Sequence, residues 1–442
     1  MSVEVGSIRL REFSVRITKG TTPTKGEGFV ECGVNYIKSE SITADGSIDS
    51  SKFAFIDPGT HGKLLRSQLR AGNVLFSMAG MYLGKTAVVL PMHLPANTNQ
   101  AVGIITLDES KADPYFIHYS LQSPTSRAWV LGSAAQSAQP NFNLQEIGDL
   151  KVPAFPLVNQ KEIAGVLRML DDRITLLRET NATLEAIAQA LFKSWFVDFD
   201  PVRAKLEGRA PEGMDEATAR LFPDSFEESE LGLVPRGWRV LPIGDAVEAV
   251  GGATPDTKNP AYWEPAIHCW TTPKDLSGIA APVLLNTERK LSDQGLAKIG
   301  SGALPIGTLL LSSRAPIGYL ALAQVPMAIN QGYIAMPPGG LLPPLYMLFW
   351  CRQNMENIKG RANGSTFMEI SKKAFRPIPA LVPSPEIVQA FAAVAGVLFD
   401  RLIENEKQAQ TLATLRDTLL PRLISGQLRL AEAQAAFDTA LA

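Results

Sequence analysis

The residues that could carry out covalent chemistry do not form a recognisable catalytic arrangement in this sequence. Gly80, Gly84, Lys85 and Thr86 match part of a phosphate-binding loop, but three residues separate the two glycines where that motif needs four. The chain has no G-x-S-x-G nucleophile elbow, and its four histidines lack the spacing of metal ligands. We therefore predict neither a catalytic site nor a metal site in this chain.

Length and composition place the chain among multidomain globular proteins. It has 442 residues, of which 45% are hydrophobic and 19% are charged, and this favours two to four domains with buried cores. Its net charge of −2 means that any site for a polyanion must be a local basic patch. Three scattered cysteines fit a reducing compartment, and no apolar run approaches the roughly 18 residues of a membrane span. We expect a cytoplasmic protein with no membrane partner.

The chain contains two copies of one unit, offset by about 230 residues. Motifs of the first copy recur in the same order in the second, and the small differences in their offsets are what loop insertions produce. The matches are GNVLFS at 72–77 with GTLLLS at 307–312, Asn99 and Gln100 with Asn330 and Gln331, GTTP at 20–23 with GATP at 252–255, and TLEAIAQALF at 183–192 with TLATLRDTLL at 411–420. We predict a tandem duplication.

Each copy begins with a mixed α/β domain. Residues 1–156 and 237–384 contain short β-like runs punctuated by Gly, Pro and Asn, with one apolar helical stretch near 114–131 or 344–359. Proline-bounded segments close both domains, because proline interrupts strands and helices. The predicted fold class is α+β, with two tandem mixed α/β domains in a pseudo-two-fold arrangement.

A long helix is predicted after each domain, over 157–199 and 385–428. Apolar residues recur every seven positions, with a second apolar row four residues further on, which is typical of a coiled-coil seam. The seam consists of Ile163, Leu170, Leu177, Leu184, Leu191, Phe391, Leu398, Leu412 and Leu419, and Asn181 and Asn405 interrupt the rows. An antiparallel intramolecular coiled coil would place the domains at opposite ends. The alternative is two separate amphipathic helices, each lying on its own domain.

Two segments are predicted to lie outside these elements. Residues 200–236 lack periodicity, and seven acidic residues stand against one arginine over 212–230. This segment is predicted to be a solvated linker or, alternatively, a surface that contacts a basic partner. Residues 429–442 are predicted to form a C-terminal tail.

Two segments resemble conserved regions of one protein family, the DNA specificity subunits of type I restriction-modification systems. LFKSWFVDFDPVRAK at 191–205 is similar to the segment after that family's central conserved helix, and TLRDTLLPRLISGQL at 414–428 is similar to its distal conserved region. The order of domain, helix, domain, helix is also that of the family, so the resemblance covers nearly the whole chain. It implies a non-catalytic subunit in phage defence, with two target recognition domains that each read one half of a bipartite site in double-stranded DNA.

The resemblance also implies partners and cofactors. Two methyltransferase subunits would sit on the helices, and restriction-translocase subunits would join that core. S-adenosylmethionine, ATP and Mg²⁺ are therefore expected on the partners, with no cofactor on this chain. Two alternatives from other classes are a duplicated-domain scaffold or carbohydrate-binding protein, and an enzyme with an unrecognised site.

Six residues are candidates for contacts with DNA, namely Lys85, Arg314, Asn99, Gln100, Asn330 and Gln331. Arg and Lys suit phosphates and guanine, whereas Asn and Gln suit adenine. Lys85 and Arg314 lie beside glycine-bearing turns after matched strands, where the alternative is a solvated loop charge. The Asn-Gln pairs recur in both copies, although domains that read different half-sites should differ where they read. These pairs therefore favour a role in holding a turn.

An aromatic helix face is the candidate for methyltransferase docking. It consists of Phe192, Trp195, Phe196 and Phe199, which have the i, i+3, i+4, i+7 spacing of one face. The alternative is packing against the second domain or the helix seam. That alternative suits Trp195 in particular, because it continues a heptad row.

Overall fold

A computed structural model of the chain describes residues 6–24, 28–134, 141–364 and 368–441. The chain divides into two compact units, the first formed by Met1–Ile174 with Gln410–Ala442 and the second by Thr175–Ala409. Both long helices cross the division, so each unit contains a part of each helix. None of the described helices is both long and apolar enough to cross a bilayer.

The first unit holds ten of the described strands in three sheets. In chain order its strands are β1 (Ser7–Arg9), β2 (Ser14–Lys19), β3 (Phe29–Val30), β4 (Val34–Ile37), β5 (Ala54–Ile56), β6 (Val74–Ser77), β7 (Thr86–Val88), β8 (Ala96–Thr98), β9 (Val102–Leu107) and β10 (Lys151–Pro153). Its helices are α1 (Leu10–Phe13), α2 (Pro58–Lys63), α3 (Pro114–Gln122), α4 (Pro124–Ala134) and α5 (Leu144–Asp149), followed by the long helix α6 (Leu157–Phe196). The sheet orders are β2-β9-β6-β7, β3-β5-β4-β8 and β1-β10.

The second unit repeats this plan with additions. Its strands are β11 (Phe226–Ser229), β12 (Gly232–Pro235), β13 (Arg239–Pro242), β14 (His268–Thr271), β15 (Val283–Leu284), β16 (Arg289–Leu291), β17 (Leu309–Ser312), β18 (Leu320–Ala323), β19 (Met327–Ile329), β20 (Tyr333–Met336) and β21 (Pro379–Val382). Its helices are α7 (Asp200–Leu206), α8 (Glu216–Leu221), α9 (Ile243–Ala246), α10 (Asp293–Leu296), α11 (Pro344–Gln353), α12 (Met355–Gly360) and α13 (Lys372–Phe375), followed by the long helix α14 (Pro385–Ile424). The sheet orders are β15-β18-β17-β20, β16-β14-β19, β13-β21 and β11-β12.

Strand pairing confirms the duplication. The central strand β6 is buried and antiparallel to β7 and β9, and β17 is buried and antiparallel to β18 and β20. A parallel pair, β4 with β8 or β14 with β19, lies in the neighbouring sheet of each unit. These central strands read as continuous apolar runs because both of their faces are covered. The predicted α+β class with two tandem mixed domains is therefore confirmed.

The long helices α6 and α14 each span forty residues. Six of the predicted seam residues are buried, and Leu184, Leu191 and Leu398 are half-buried. Within the second unit, Asn181 contacts Asn405, and the ring of Phe192, further along α6, lies 5.7 Å from that of Phe391, earlier in α14. The two helices therefore run antiparallel in this unit, as the heptad pattern predicts.

Asn181 and Asn405, which interrupt the seam, form a hydrogen bond with each other. Asn405 donates from Nδ2 to Oδ1 of Asn181 at 2.9 Å, and Asn181 donates from Nδ2 to the carbonyl of Leu402 at 3.2 Å. Both side chains are buried. A buried amide pair of this kind fixes the register of two helices, because sliding either helix leaves a polar group without a partner.

A partly buried polar cluster lies in the first unit. Tyr119 on α3 donates to Asp171 on α6 at 2.6 Å, and Arg416 on α14 donates to the other oxygen of Asp171 at 2.7 Å. Helix α3 begins at a cap in which Asp113 accepts hydrogen bonds from two backbone N–H groups. These contacts attach the helix of the first domain to both long helices within this unit.

His118 on α3 is buried beside this cluster. Its Nδ1 lies 2.8 Å from the hydroxyl of Thr86, which also accepts a hydrogen bond from Gln122. Burial lowers the pKa of His118 to about 4, and the positive charge of Arg416 acts in the same direction, while Asp45 opposes it. The imidazole is therefore neutral in the folded protein at neutral pH.

The structure of two connecting segments differs from what their composition indicates. Residues 200–236, which were predicted to be a solvated linker, contain two helices and a hairpin, and Val202, Phe222 and Val234 are buried. Their acidic side chains are largely exposed, so the acidic composition reflects the solvent face alone. The C-terminal segment forms helix α15 (Leu430–Leu441), with Ala433 and Phe437 buried, and is not a tail.

The asparagine pair yields a stability prediction. Asn405→Ala should lower the free energy of unfolding by about 1–3 kcal/mol, because it leaves the Asn181 carbonyl oxygen buried without a donor. The double variant Asn181→Leu with Asn405→Leu should recover that loss, since it removes both polar groups from an apolar seam. Urea denaturation of the full chain, followed by far-UV circular dichroism, measures both effects. Equal stability of the wild type and the single variant would show that the bond contributes nothing.

His118 predicts acid sensitivity of the first unit. An unfolded histidine has a pKa near 6.5, so below that pH the unfolded chain binds a proton that the native state excludes until about pH 4. The free energy of unfolding should fall by about 2 kcal/mol between pH 7 and pH 5. Amide hydrogen exchange of β6 and β9, corrected for intrinsic rates, measures this loss.

His118→Leu is the control, because the second unit carries Leu348 at the matching position of α11. This variant should flatten the pH dependence in the first unit and leave that of β17 and β20 unchanged. An equally steep loss in the variant would assign the acid sensitivity to another group.

Candidate nucleic-acid interface

The Asn-Gln motifs form the same turn in both units. Asn99 accepts a hydrogen bond from the backbone N–H of Ala101 at 3.2 Å, and Asn330 accepts one from Gly332 at 2.8 Å. A side chain that bonds two residues ahead stabilises a turn. The turn-holding alternative therefore describes the observed contacts of Asn99 and Asn330.

The glutamines of these motifs form hydrogen bonds with the other repeated loop, which is GTTP at 20–23 in the first unit and GATP at 252–255 in the second. Thr22 donates its hydroxyl hydrogen to Oε1 of Gln100, and Thr254 donates to Oε1 of Gln331 at 2.6 Å. All four side chains are exposed. Each unit thus presents a hydroxyl and a carboxamide, joined to each other, on its surface.

Glycine is required next to each pair. A Cβ on Gly20 would lie 2.2 Å from the carbonyl oxygen of Thr98, and a Cβ on Gly252 would lie 1.8 Å from that of Ile329. Backbone hydrogen bonds join the same segments. The N–H of Thr21 donates to the carbonyl of Thr98 at 2.9 Å, and the N–H of Ala253 donates to the carbonyl of Ile329 at 3.1 Å. This close approach explains why the glycine stands two residues before the threonine in both copies.

In each unit, one ring of an aromatic pair donates a hydrogen bond to the loop that carries the threonine. Phe29 and Tyr36 pack edge to face with centroids 5.2 Å apart, and Trp263 and Trp270 do the same at 5.2 Å. Tyr36 donates to the carbonyl of Thr21 at 3.0 Å, and Trp270 donates to that of Ala253 at 3.1 Å. Burial raises the pKa of Tyr36, against the opposing hydrogen bond to Thr22, so its phenol stays protonated and can donate.

An arginine that the sequence analysis missed lies on this pair in the second unit. The guanidinium of Arg289 is 3.6 Å from the ring centroid of Trp263 and 5.2 Å from that of Trp270, and its side chain is exposed. Arg289 is paired with Trp270 across the sheet, where Ala54 is paired with Tyr36 in the first unit. Stacking between aromatic rings holds the guanidinium and leaves its N–H groups free to meet a base edge or a phosphate. The matched F-x6-Y and W-x6-W spacings at 29–36 and 263–270 are the sequence signal that could have found it.

Lys85 and Arg314 lie at non-equivalent positions. Lys85 lies directly before β7, and its ammonium is 4.9 Å from the ring centroid of Tyr82. Arg314 is half-exposed in the loop after β17. Its backbone forms an isolated antiparallel β-bridge with Glu369, and its guanidinium forms an ion pair with the Glu369 carboxylate at 3.7 Å. Its counterpart is Ala79, which makes the matching bridge in the first unit. The second unit therefore carries an arginine at two places where the first carries an alanine.

The aromatic docking candidates are core residues. Phe192, Trp195 and Phe196 are 3%, 5% and 7% exposed and lie within the main core of the second unit. Phe196 packs with its ring 5.2 Å from Phe391, and only Phe199 remains half-buried at the start of α7. A partner cannot reach the three buried rings in this fold, so the observed contacts are those of the packing alternative.

Comparison with known proteins places these repeated features in a family. The type I restriction modification DNA specificity domain matches this chain twice, over residues 3–186 and 235–413. The chain is 25% identical over 411 residues to the type I restriction enzyme HindI specificity subunit of Haemophilus influenzae, covering 83% of this chain and 86% of that protein. It is 38% identical over 185 residues to the MjaIX specificity subunit of Methanocaldococcus jannaschii, a match that spans 41% of this chain and only 42% of that relative.

A solved structure has the same fold. The S subunit of a type I restriction-modification system from M. genitalium aligns over 96% of both chains with a TM-score of 0.55 and 15% sequence identity. The domain match falls once on each copy of the duplication and together covers most of the residues. The chain therefore belongs to the type I restriction-modification DNA specificity family.

Proposed function

We propose that this chain is the DNA-recognition subunit of a type I restriction-modification complex, and that each unit reads one half of a bipartite target. In this proposal the chain is not catalytic. Methylation and cleavage belong to methyltransferase and restriction subunits, which hold S-adenosylmethionine, ATP and Mg²⁺, and the complex works in the cytoplasm on double-stranded DNA. Family membership supports this role over a carbohydrate-binding or scaffold protein.

The observation that carries the proposal is a shared framework with different exposed side chains. Backbone pairing, the Thr–Gln contacts and the edge-to-face rings are repeated in both units. In contrast, Arg289 and Arg314 replace Ala54 and Ala79 on this framework. Two readers of different half-sites need one scaffold and two sets of reading side chains, which is the arrangement present here.

The two arginines are the favoured base-reading residues of the second unit. Arginine makes bidentate hydrogen bonds to guanine more often than any other side chain makes a specific base contact. Arg289 is held by stacking, and Arg314 is held by its ion pair with Glu369, so both guanidinium groups are positioned before binding. In the first unit, Lys85 is the candidate carried over from the sequence.

The seats for the two methyltransferases are assigned to two pairs of exposed apolar residues on α6, one pair in each unit. Val158 and Met169 lie in the first unit and Leu176 and Ile187 in the second, and they are 62%, 39%, 51% and 50% exposed. The two residues of each pair are eleven positions apart, which keeps them within about 20° of one line along the helix. Burying exposed apolar side chains against a partner is favourable, so these pairs are the favoured contact sites.

Domain exchange tests the one-half-per-unit proposal. Replacing residues 237–384 with the equivalent domain of a relative should change one half of the methylated sequence and preserve the other, because the first unit keeps its reading surface. Methylome sequencing of cells that express the chimera with its methyltransferase gives the result.

The matched control replaces residues 1–156 and should change the other half. A simultaneous change of both halves in either chimera would contradict the proposal. Loss of methylation with an assembled complex and no new site would contradict it as well.

The docking pair of the second unit has its own test. Leu176→Asp with Ile187→Asp should weaken methyltransferase association at least tenfold, since burying two carboxylates in an apolar contact is costly. Both side chains are exposed, so the fold should persist. The control is Thr175→Asp with Ala182→Asp, which adds the same charge on the other exposed flank of α6. Quantitative co-purification measures association, and a defect confined to the control would move the seat to that flank.

A further inference from the structure

Each unit offers hydrogen-bond donors at its Thr–Gln pair for which no described residue is an acceptor. The hydroxyls of Thr22 and Thr254 donate to the Oε1 atoms of Gln100 and Gln331. The two hydrogens on each glutamine Nε2 are therefore available as donors. Within the described residues neither Nε2 has a protein acceptor, and both glutamines are exposed. The pair therefore presents N–H donors to the solvent at the same place in both units.

The donors are held in position before any ligand arrives. Tyr36 donates to the carbonyl of Thr21 and approaches the hydroxyl of Thr22 at 3.3 Å, which fixes that end of the first pair. Trp270 fixes the equivalent carbonyl in the second unit. The Asx turns at Asn99 and Asn330 hold the other end. Groups fixed in this way lose little entropy when they bind.

A lysine accompanies each pair, although it comes from a different part of the chain. Lys19 stands directly before Gly20 at the end of β2 and is exposed. The matching residue of the second unit is Gly251, and there Nζ of Lys372 lies 3.2 Å from where a Cβ of Gly251 would be. Neither lysine forms an ion pair with any described residue. A lysine is thus repeated at the position three residues before the threonine of each pair, although a different part of the chain supplies it.

We propose that these two clusters, Lys19 with Thr22–Gln100 and Lys372 with Thr254–Gln331, bind the sugar-phosphate backbone of DNA, one in each half-site. This inference rests on the proposed function and identifies where its sequence-independent contacts are made. An ammonium and amide N–H groups without a competing acceptor suit an anionic oxygen. Groups that are the same in both units must meet something that is the same in two different half-sites, and the backbone is what any two sequences share.

The salt dependence of DNA binding tests the lysines. The complex of this chain with its methyltransferase is titrated onto a duplex that contains its methylated sequence, over a series of salt concentrations. Lys19→Ala with Lys372→Ala should reduce the slope of log K against log salt by about 2, because each phosphate contact contributes roughly 0.9. Binding to scrambled DNA should weaken by the same factor, and the methylated sequence should not change.

The glutamines are tested in the same assay. Gln100→Ala with Gln331→Ala should weaken binding to both duplexes by about tenfold and leave the salt slope unchanged, because an uncharged donor releases no counterion. Gln100→Glu with Gln331→Glu should weaken binding further at low salt, and the difference should shrink as salt rises. The control removes two other exposed lysines, Lys63→Ala with Lys298→Ala.

Several results would overturn the assignment. An unchanged salt slope in the lysine variant, or an equal change in the control, would show that these clusters are not backbone contacts. A new methylated sequence in the glutamine variants would show that they read bases. In each case the wild-type complex still prefers its own sequence to the scrambled one. Failure of that preference in the wild type would instead refute the proposed function.

Discussion

The pairing of α6 with α14 depends on polar groups that fit only in one combination. Asn405 meets Asn181 within the second unit, and Arg416 meets Asp171 within the first. In the duplicated sequence, the place of Asn405 is taken in the first copy by Leu177, and that of Arg416 by Ala188. A helix paired with a second copy of itself would therefore bury Asn181 against leucine and Asp171 against alanine. Each mismatch leaves a polar group of the helix contact without its partner, and this cost favours the intramolecular pair.

The two units solve one packing problem in two ways. In the first, the contact of the domain helix with the long helices is polar, through Tyr119, Asp171 and Arg416. In the second, the matching contact is between Phe349 and Phe399, whose rings pack edge to face at 5.8 Å. An ion pair that is partly removed from water stabilises the fold only when its groups are hydrogen-bonded, whereas two aromatic rings need only a complementary shape. The ring contact of the second unit therefore restricts the neighbouring side chains less than the hydrogen-bonded contact of the first unit, which fixes the positions of its three side chains.

Periodicity made most of the fold predictable, and composition misled where periodicity was absent. The heptads gave both long helices, because a sevenfold repeat leaves few alternatives. The helices and the hairpin of residues 200–236 were not predicted, because exposed acidic side chains outnumber the few buried residues, such as Phe222, that anchor this segment. The face containing Phe196 was visible in the sequence, but its spacing does not say which neighbour covers it. Arg289 was missed because it matches Ala54, and a search for shared residues passes over a place where the copies differ.

Under the proposed function, that difference would let one scaffold carry more than one DNA specificity. The groups that hold the repeated Thr–Gln loops act mainly on the backbone, through Gly20 and Gly252, whose neighbours are carbonyl oxygens, and through the Asx turns. Backbone contacts are indifferent to the side chains on the adjacent strands. Along β16 the second unit places Arg289 and Lys290 where the first has Ala54 and Phe55 along β5, with the same strand register. The exposed strand can therefore exchange an apolar pair for two cations without disturbing the loops, and under the proposed function this would separate the choice of DNA sequence from the stability of the fold.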